Sequence, residues 1–151
     1  MGEPEPPFIP NVFLAPRDDY QEFECEAALA YARAINRLDI LPLAHLLAEN
    51  CVYESQHVFE PLRGKQAILE YFQQKFRAIQ ESGSGSQVFA ELGKMIEIYV
   101  DRPCVIVAQG VYDNRKGVVL FEVSRGKIDR IDMCGVLPNP THAQGTGEYP
   151  V

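Results

Sequence analysis

The 151 residues fit one domain of ordinary size, and an apolar share of 46% supplies a core without any metal or disulfide staple. Fourteen Lys and Arg against 21 Asp and Glu leave a formal charge of −7 with no basic run, so a nucleic-acid groove and an anionic membrane surface are poor fits. No stretch approaches the roughly 20 apolar residues of a membrane span, and the N-terminal Gly2-Glu3-Pro4-Glu5-Pro6-Pro7 lacks the basic and apolar regions of a leader, which makes a cytoplasmic location the expectation.

Prolines crowd both ends of the chain, so a single domain is expected over 17–137, flanked by Pro/Gly-rich peripheral tails at 1–16 and 138–151. Phe23, Ala27, Ala30, Tyr31, Ala34 and Leu38 recur at helical spacing and predict a first helix over 18–38, with Asp18 or Asp19 at its N-cap. Asp39 can cap a second, short helix from Ile40 to Ala48, where Pro42 falls in the first turn. Cys51 to His57 reads as a strand with Cys51, Tyr53, Ser55 and His57 on one face and Val52, Glu54 and Gln56 on the other. A third helix over Lys65 to Ile79 turns Ile68, Tyr71, Phe72, Phe76 and Ile79 inward and Glu70, Gln73, Gln74 and Arg77 to water. Four strands follow at about 87–100, 104–112, 117–124 and 127–134, joined by connections too short for crossover helices and therefore antiparallel. The four cysteines, Cys25, Cys51, Cys104 and Cys134, form no CxxC or Cys/His cluster, so free thiols and no metal site are expected.

The order helix, short helix, strand, helix and four antiparallel strands resembles the nuclear transport factor 2-like family. The segment Leu43-Ala44-His45-Leu46-Leu47-Ala48-Glu49-Asn50-Cys51-Val52-Tyr53, followed by Leu62-Arg63-Gly64-Lys65-Gln66-Ala67-Ile68, carries the match, and Gly126-Lys127-Ile128 entering the last strand adds to it. The resemblance covers about 19–137. It implies an α+β, cystatin-like cone in which three helices from the N-terminal half cover a strongly curved antiparallel sheet. Such a cone encloses a tapering space that would be lined by Phe23, Ala27, Tyr31 and Leu47, by Cys51, Tyr53 and Ser55, by Phe72 and Phe76, and by Val107, Val119, Phe121 and Met133.

Proteins of this fold include steroid isomerases, epoxide hydrolases, dehydratases, polyketide cyclases and non-catalytic association domains. Alignment to the isomerases puts Tyr31 on the oxyanion-binding tyrosine but Ser55 on the catalytic base and Val119 on the second donor, so one role of three survives. Alignment to the epoxide hydrolases retains Tyr53, with Ser55 in place of an asparagine. An inward Asp132 would need a bulge in the last strand, and the arginine that organises the acid and base has no counterpart. The remaining candidate catalytic set is Tyr31, His57 and Asp132, with Glu54 beside them. The expected function is a pocket for a small apolar ligand, with cofactor-free proton transfer of isomerase, dehydratase or cyclase type. The rival is an association domain that binds a partner through its sheet face. A homodimer packed sheet to sheet is also expected, from Ile96/Ile98/Val100 or Val105/Val107/Val111 on the outer face.

Overall fold

The computed structural model describes residues 9–56, 60–83, 87–96, 102–134 and 143–151, with side chains described from residue 22 onward. The described elements run α1 (Ile9–Arg37), α2 (Leu41–Ala44), β1 (Leu47–Ser55), β2 (Leu62–Arg63), α3 (Lys65–Ser82), β3 (Val88–Met95), β4 (Arg102–Gln109), β5 (Arg115–Ser124), β6 (Lys127–Cys134) and β7 (Ala143–Gly145). All seven strands form one sheet in the order β2-β1-β6-β5-β4-β3-β7. This is the α+β arrangement that the periodicities implied. The four long strands pair as antiparallel neighbours, and Arg125 and Gly126, both at positive φ, make the tight turn between β5 and β6.

Four features depart from the sequence reading. The first helix begins at Ile9 and runs through Pro16, so residues 18 and 19 lie inside it rather than at its cap. The second helix is a single turn: β1 already starts at Leu47, where Leu47 opposes Ile128 and the Leu46 carbonyl accepts the Ile128 N–H at 2.7 Å. Strand pairing there overrides a helical pattern too short to stand alone. The sheet is mixed rather than wholly antiparallel, because β1 and β6 run parallel. Finally, the expected C-terminal tail contributes β7 to the edge of β3, and Pro150 is buried.

Two faces of the sheet follow from strand alternation. Toward the helices point Cys51, Tyr53 and Ser55 of β1, Val105 and Val107 of β4, Val119 and Phe121 of β5, and Ile131 and Met133 of β6. The helix α1 covers β3, β4 and β5 with a row of buried alanines (Ala27, Ala28, Ala30, Ala34) that lets its backbone approach closely. Ile68, Phe72 and Phe76 of α3 face inward, and its predicted polar side is exposed. On the opposite face Cys104, Ile106 and Val118 are also buried, with Ala143 of β7 packed among them. Of the residues expected outward, Val105 and Val107 thus face the helices, Val111 and Ile96 are exposed, and Ile98 and Val100 lie outside the described residues.

Aromatic rings cluster in the interior. Phe72 lies 5.9 Å from Tyr31, 5.2 Å from Tyr53, 5.3 Å from Tyr71 and 5.9 Å from Phe76, centroid to centroid, mostly edge to face. Phe72→Ala should therefore cost about 3–5 kcal/mol in urea denaturation, against about 0.5 kcal/mol or less for Val111→Ala in the exposed turn. A Phe72 variant as stable as the Val111 variant would show that this cluster is not the core.

Candidate functional site

Three tyrosines meet where α1, β1 and α3 converge. Tyr31 stands edge-on to Phe72 and to Phe121 (5.5 Å), and Tyr53 lies 5.5 Å from Tyr71 and within hydrogen-bond reach of both Tyr71 and Ser55. Burial pushes the Tyr31 and Tyr53 hydroxyls above the ordinary phenol range, and each is further raised by the neighbouring phenols. Lys75, 5.8 Å from the Tyr71 ring centroid, is lowered by its own burial. Phe72 and Phe121 both pack edge-on against Tyr31 beneath α1. Of the expected lining residues, Ala27, Leu47, Cys51, Tyr53, Phe72, Phe76, Val107, Val119 and Phe121 are buried in one packed cluster, whereas Phe23 points outward, 41% exposed. Burial, with a smaller contribution from Asp129, pushes the Cys51 thiol up to about 12, which disfavours its nucleophilic thiolate form.

A cleft of about 560 Å³ sits at the rim of the sheet, lined by Glu54, Ser55, Gln56, Pro61, Leu120, Asp132, Met133 and Cys134. Its walls come from both faces at the ends of β1 and β6. Ser55 and Met133 are register partners on the helix-facing side, and Glu54 and Asp132 are register partners on the other. Asp132 therefore points away from the cone. The register is regular at this point, where Leu120, Asp132 and Glu54 line up across three strands, and the irregularities fall instead between Glu122 and Val123 and between Leu47 and Val52.

One residue that pattern reading missed organises this rim. Arg130 lies on the same face as Asp132, donates from Nε to both Asp132 carboxylate oxygens (3.0 and 3.1 Å), and donates from its terminal nitrogen to Glu54 Oε1. The signal was present as Arg130-Ile131-Asp132, two charges separated by one residue and hence on one side of a strand. Only the parallel pairing with β1 reveals that Glu54 completes the trio. Of the proposed catalytic residues, then, Asp132 is at the cleft, Tyr31 is in the core, and His57 lies outside the described residues. Ser55 and Met133 are the expected ligand-binding positions that do line the cleft. Among the described residues no group of three or more His, Cys, Asp or Glu is placed to hold a metal ion.

No protein-family model and no curated protein matches this sequence. Solved structures do match. A nuclear transport factor 2-like protein with a cystatin-like fold from Novosphingobium aromaticivorans superposes with a TM-score of 0.54 at 16% identity, covering 89% of this chain and 94% of that one. The chain has the nuclear transport factor 2-like fold. A second protein of this description, from Mesorhizobium loti, matches with a TM-score of 0.56 at 19% identity, over 80% of this chain and 96% of that one. SalBIII, an epoxide hydrolase/cyclase-like enzyme with a role in pyran ring formation in polyether salinomycin, matches with a TM-score of 0.53 at 18% identity, over 85% and 97%. At these identities the likeness establishes the fold and leaves the activity to the site.

The tyrosine cluster has a consequence for alkaline stability. Because the folded state raises the Tyr31 and Tyr53 values above those of the unfolded chain, the stabilisation is whole below pH of about 10 and is lost as pH rises beyond it. The chain should unfold cooperatively in alkali, with these two phenols ionising together with the loss of secondary structure. Tyrosinate absorbance recorded beside far-ultraviolet circular dichroism checks this, and Tyr31→Phe should abolish part of the coupled absorbance change. Ionisation of both buried phenols ahead of unfolding would contradict it.

Proposed function

We propose that the protein binds a small molecule in the rim cleft rather than under α1, and that Asp132 and Glu54 carry cofactor-free acid–base chemistry on it. The observation that supports this reading is the coincidence, in one cavity, of two carboxylates fixed by Arg130, a hydroxyl at Ser55 and an apolar wall from Pro61, Leu120 and Met133. Apolar walls with a few placed polar groups are the ordinary composition of a ligand site. A carboxylate held in position can take a proton from a ligand hydroxyl or from a carbon beside a carbonyl, and the carboxylic acid so formed can return it to another atom of the ligand. Arg130 sits behind both acids and acts as a positioning residue. Its guanidinium leaves the pair with one net negative formal charge, which disfavours anionic ligands. The fold's use by an epoxide hydrolase/cyclase-like enzyme supports oxygenated, largely apolar substrates as the class to test first.

The buried apolar cluster beneath α1 also favours a second reading, a non-catalytic association domain. The two are separated by native mass spectrometry and thermal shift against terpenoids, aromatic polyketides, steroids and cyclic ethers. The expected result is a bound member whose affinity falls by about 1–3 kcal/mol in Asp132→Asn, the cost of one lost ligand hydrogen bond, and is unchanged in Val111→Ala. Absence of any bound member across the screen, or equal binding by Asp132→Asn, would overturn the cleft reading and leave the association domain in front.

A further inference from the structure

The rim cleft and the C-terminal strand β7 meet the same apolar patch on the sheet face turned away from the helices. Cys104 and Ile106 of β4, Val118 of β5 and Ala143 of β7 form it, none more than 2% exposed, and Leu120 packs against them. Leu120 is also a wall of the cleft, where it opposes Asp132 across the β5–β6 ladder. Cys134, a second cleft residue, opposes Val118, which in turn opposes Ile106. The patch therefore backs one side of the cleft, and Ala143 completes the patch from the β3 edge. Gly93 of β3 makes this reach possible, since a Cβ there would come within 2.9 Å of Ile106 Cδ1 and 2.8 Å of the Gln144 carbonyl.

What places Ala143 is the segment that follows it. Gly145, Gln144 and Ala143 pair with Gly93, Lys94 and Met95 of β3, and beyond the strand Thr146 N–H donates to the Leu92 carbonyl while Leu92 N–H donates to the Glu148 carbonyl, both at 2.9 Å. The segment holds two glycines and a proline in eight residues, a composition depleted from strands, so its place depends on the groove that receives it. The buried Glu91 carboxylate lies over Gly145, where a Cβ would collide with it, and accepts the Gly147 N–H at 2.8 Å and the Tyr149 hydroxyl. Asn36 Nδ2 donates to the Pro150 carbonyl at 2.6 Å. A close-packed patch passes a displacement on to its neighbours. Withdrawal of Ala143 would open Cys104, Ile106 and Val118 to water and remove part of the surface on which Leu120 rests.

We infer that residues 143–150 brace the rim cleft of their own chain, with Ala143 as a positioning residue that acts through the outer-face patch to set the cleft wall at Leu120 and Cys134. A change at the β3 edge is then felt beside Asp132, three strands away in the sheet order. Its consequence for a ligand rests on the cleft being a ligand seat, whereas the link between segment and cleft wall does not.

The free cysteines report on this link without any ligand. Cys104 is buried in the patch with Ala143, Cys134 lines the cleft, Cys51 is buried on the helix side, and the exposed Cys25 gives a reference rate for the reagent. Full-length native protein is labelled with N-ethylmaleimide, and the rate at each cysteine is read by peptide mass spectrometry. Wild type is compared with Gly145→Ala, which crowds Glu91, with Ala143→Asp, which puts a charge into the patch, and with the double variant. All three leave every cleft-lining residue in place. Local release of the segment should speed labelling about tenfold at Cys104 and about threefold at the partly exposed Cys134, with Cys51 at its wild-type rate. Faster labelling of Cys104 with Cys134 unchanged would overturn the brace. An equal rise at Cys51 would reduce the effect to global unfolding and overturn it as well, and undiminished protection of Cys104 in the double variant would overturn the segment's hold on the patch. A ligand screen without hits leaves these rates untouched, so the brace and the ligand seat fail separately.

Discussion

The parallel ladder between β1 and β6 is the constraint on which the rest of the site depends. Every other long pairing in the sheet joins strands that are neighbours in sequence, whereas this one brings together residues 47–55 and 128–133. Its register sends Tyr53, Ser55, Ile131 and Met133 into the helix-facing side and Glu54, Arg130 and Asp132 to the other. A slip of one residue would exchange the two sets, placing charges in the aromatic core and rings in water. Burial of Tyr53 and Ile131 therefore enforces the alignment of the carboxylates as firmly as it builds the core.

The Glu54–Arg130–Asp132 trio matters for position more than for stability. All three side chains are partly exposed, and ion pairs in that setting contribute little to folding. What the guanidinium does is restrict two carboxylates to one geometry at a cavity wall, the kind of preorganisation on which an acid–base site depends. The contrast with Glu24 is instructive. That carboxylate, carried by α1 itself, is almost wholly buried on the helix's sheet-facing side, where Arg102 of β4 donates to it at 3.0 Å and also reaches the Phe121 carbonyl. Removing one partner there would strand a charge in the interior, so that pair belongs to the scaffold.

Phe72, Phe121 and Tyr31 pack in the buried cluster beneath α1, and the cleft among the described residues lies at the rim of the fold. The same sheet and helices can then carry a ligand seat at the strand ends and a segment-binding groove at the β3 edge. These lie on opposite sides of the sheet order, the cleft on β1, β6 and β5 and the groove on β3. The cleft combines Glu54 and Asp132 of the outer face with Ser55 and Met133 of the inner one, and the groove combines Glu91 of β3 with Asn36 of α1.

Local chemistry alone determined much of this protein. The helical face of Ala27, Tyr31 and Ala34, the alternation of Cys51, Tyr53 and Ser55, the inward face of α3 and the turn at Arg125-Gly126 were legible because each rests on a period or a backbone preference within a few residues. The tertiary structure decided the rest. How the apolar residues pack beneath α1 depended on how Tyr31 meets Phe72 and Phe121 across three elements, which composition does not specify. The face of Asp132 and the identity of its partners depended on a pairing between strands more than seventy residues apart, and the strand at 143–145 on an edge that supplied what its glycines lack. Periodicity specifies which side of an element is apolar; only the packing of distant elements specifies what that side meets.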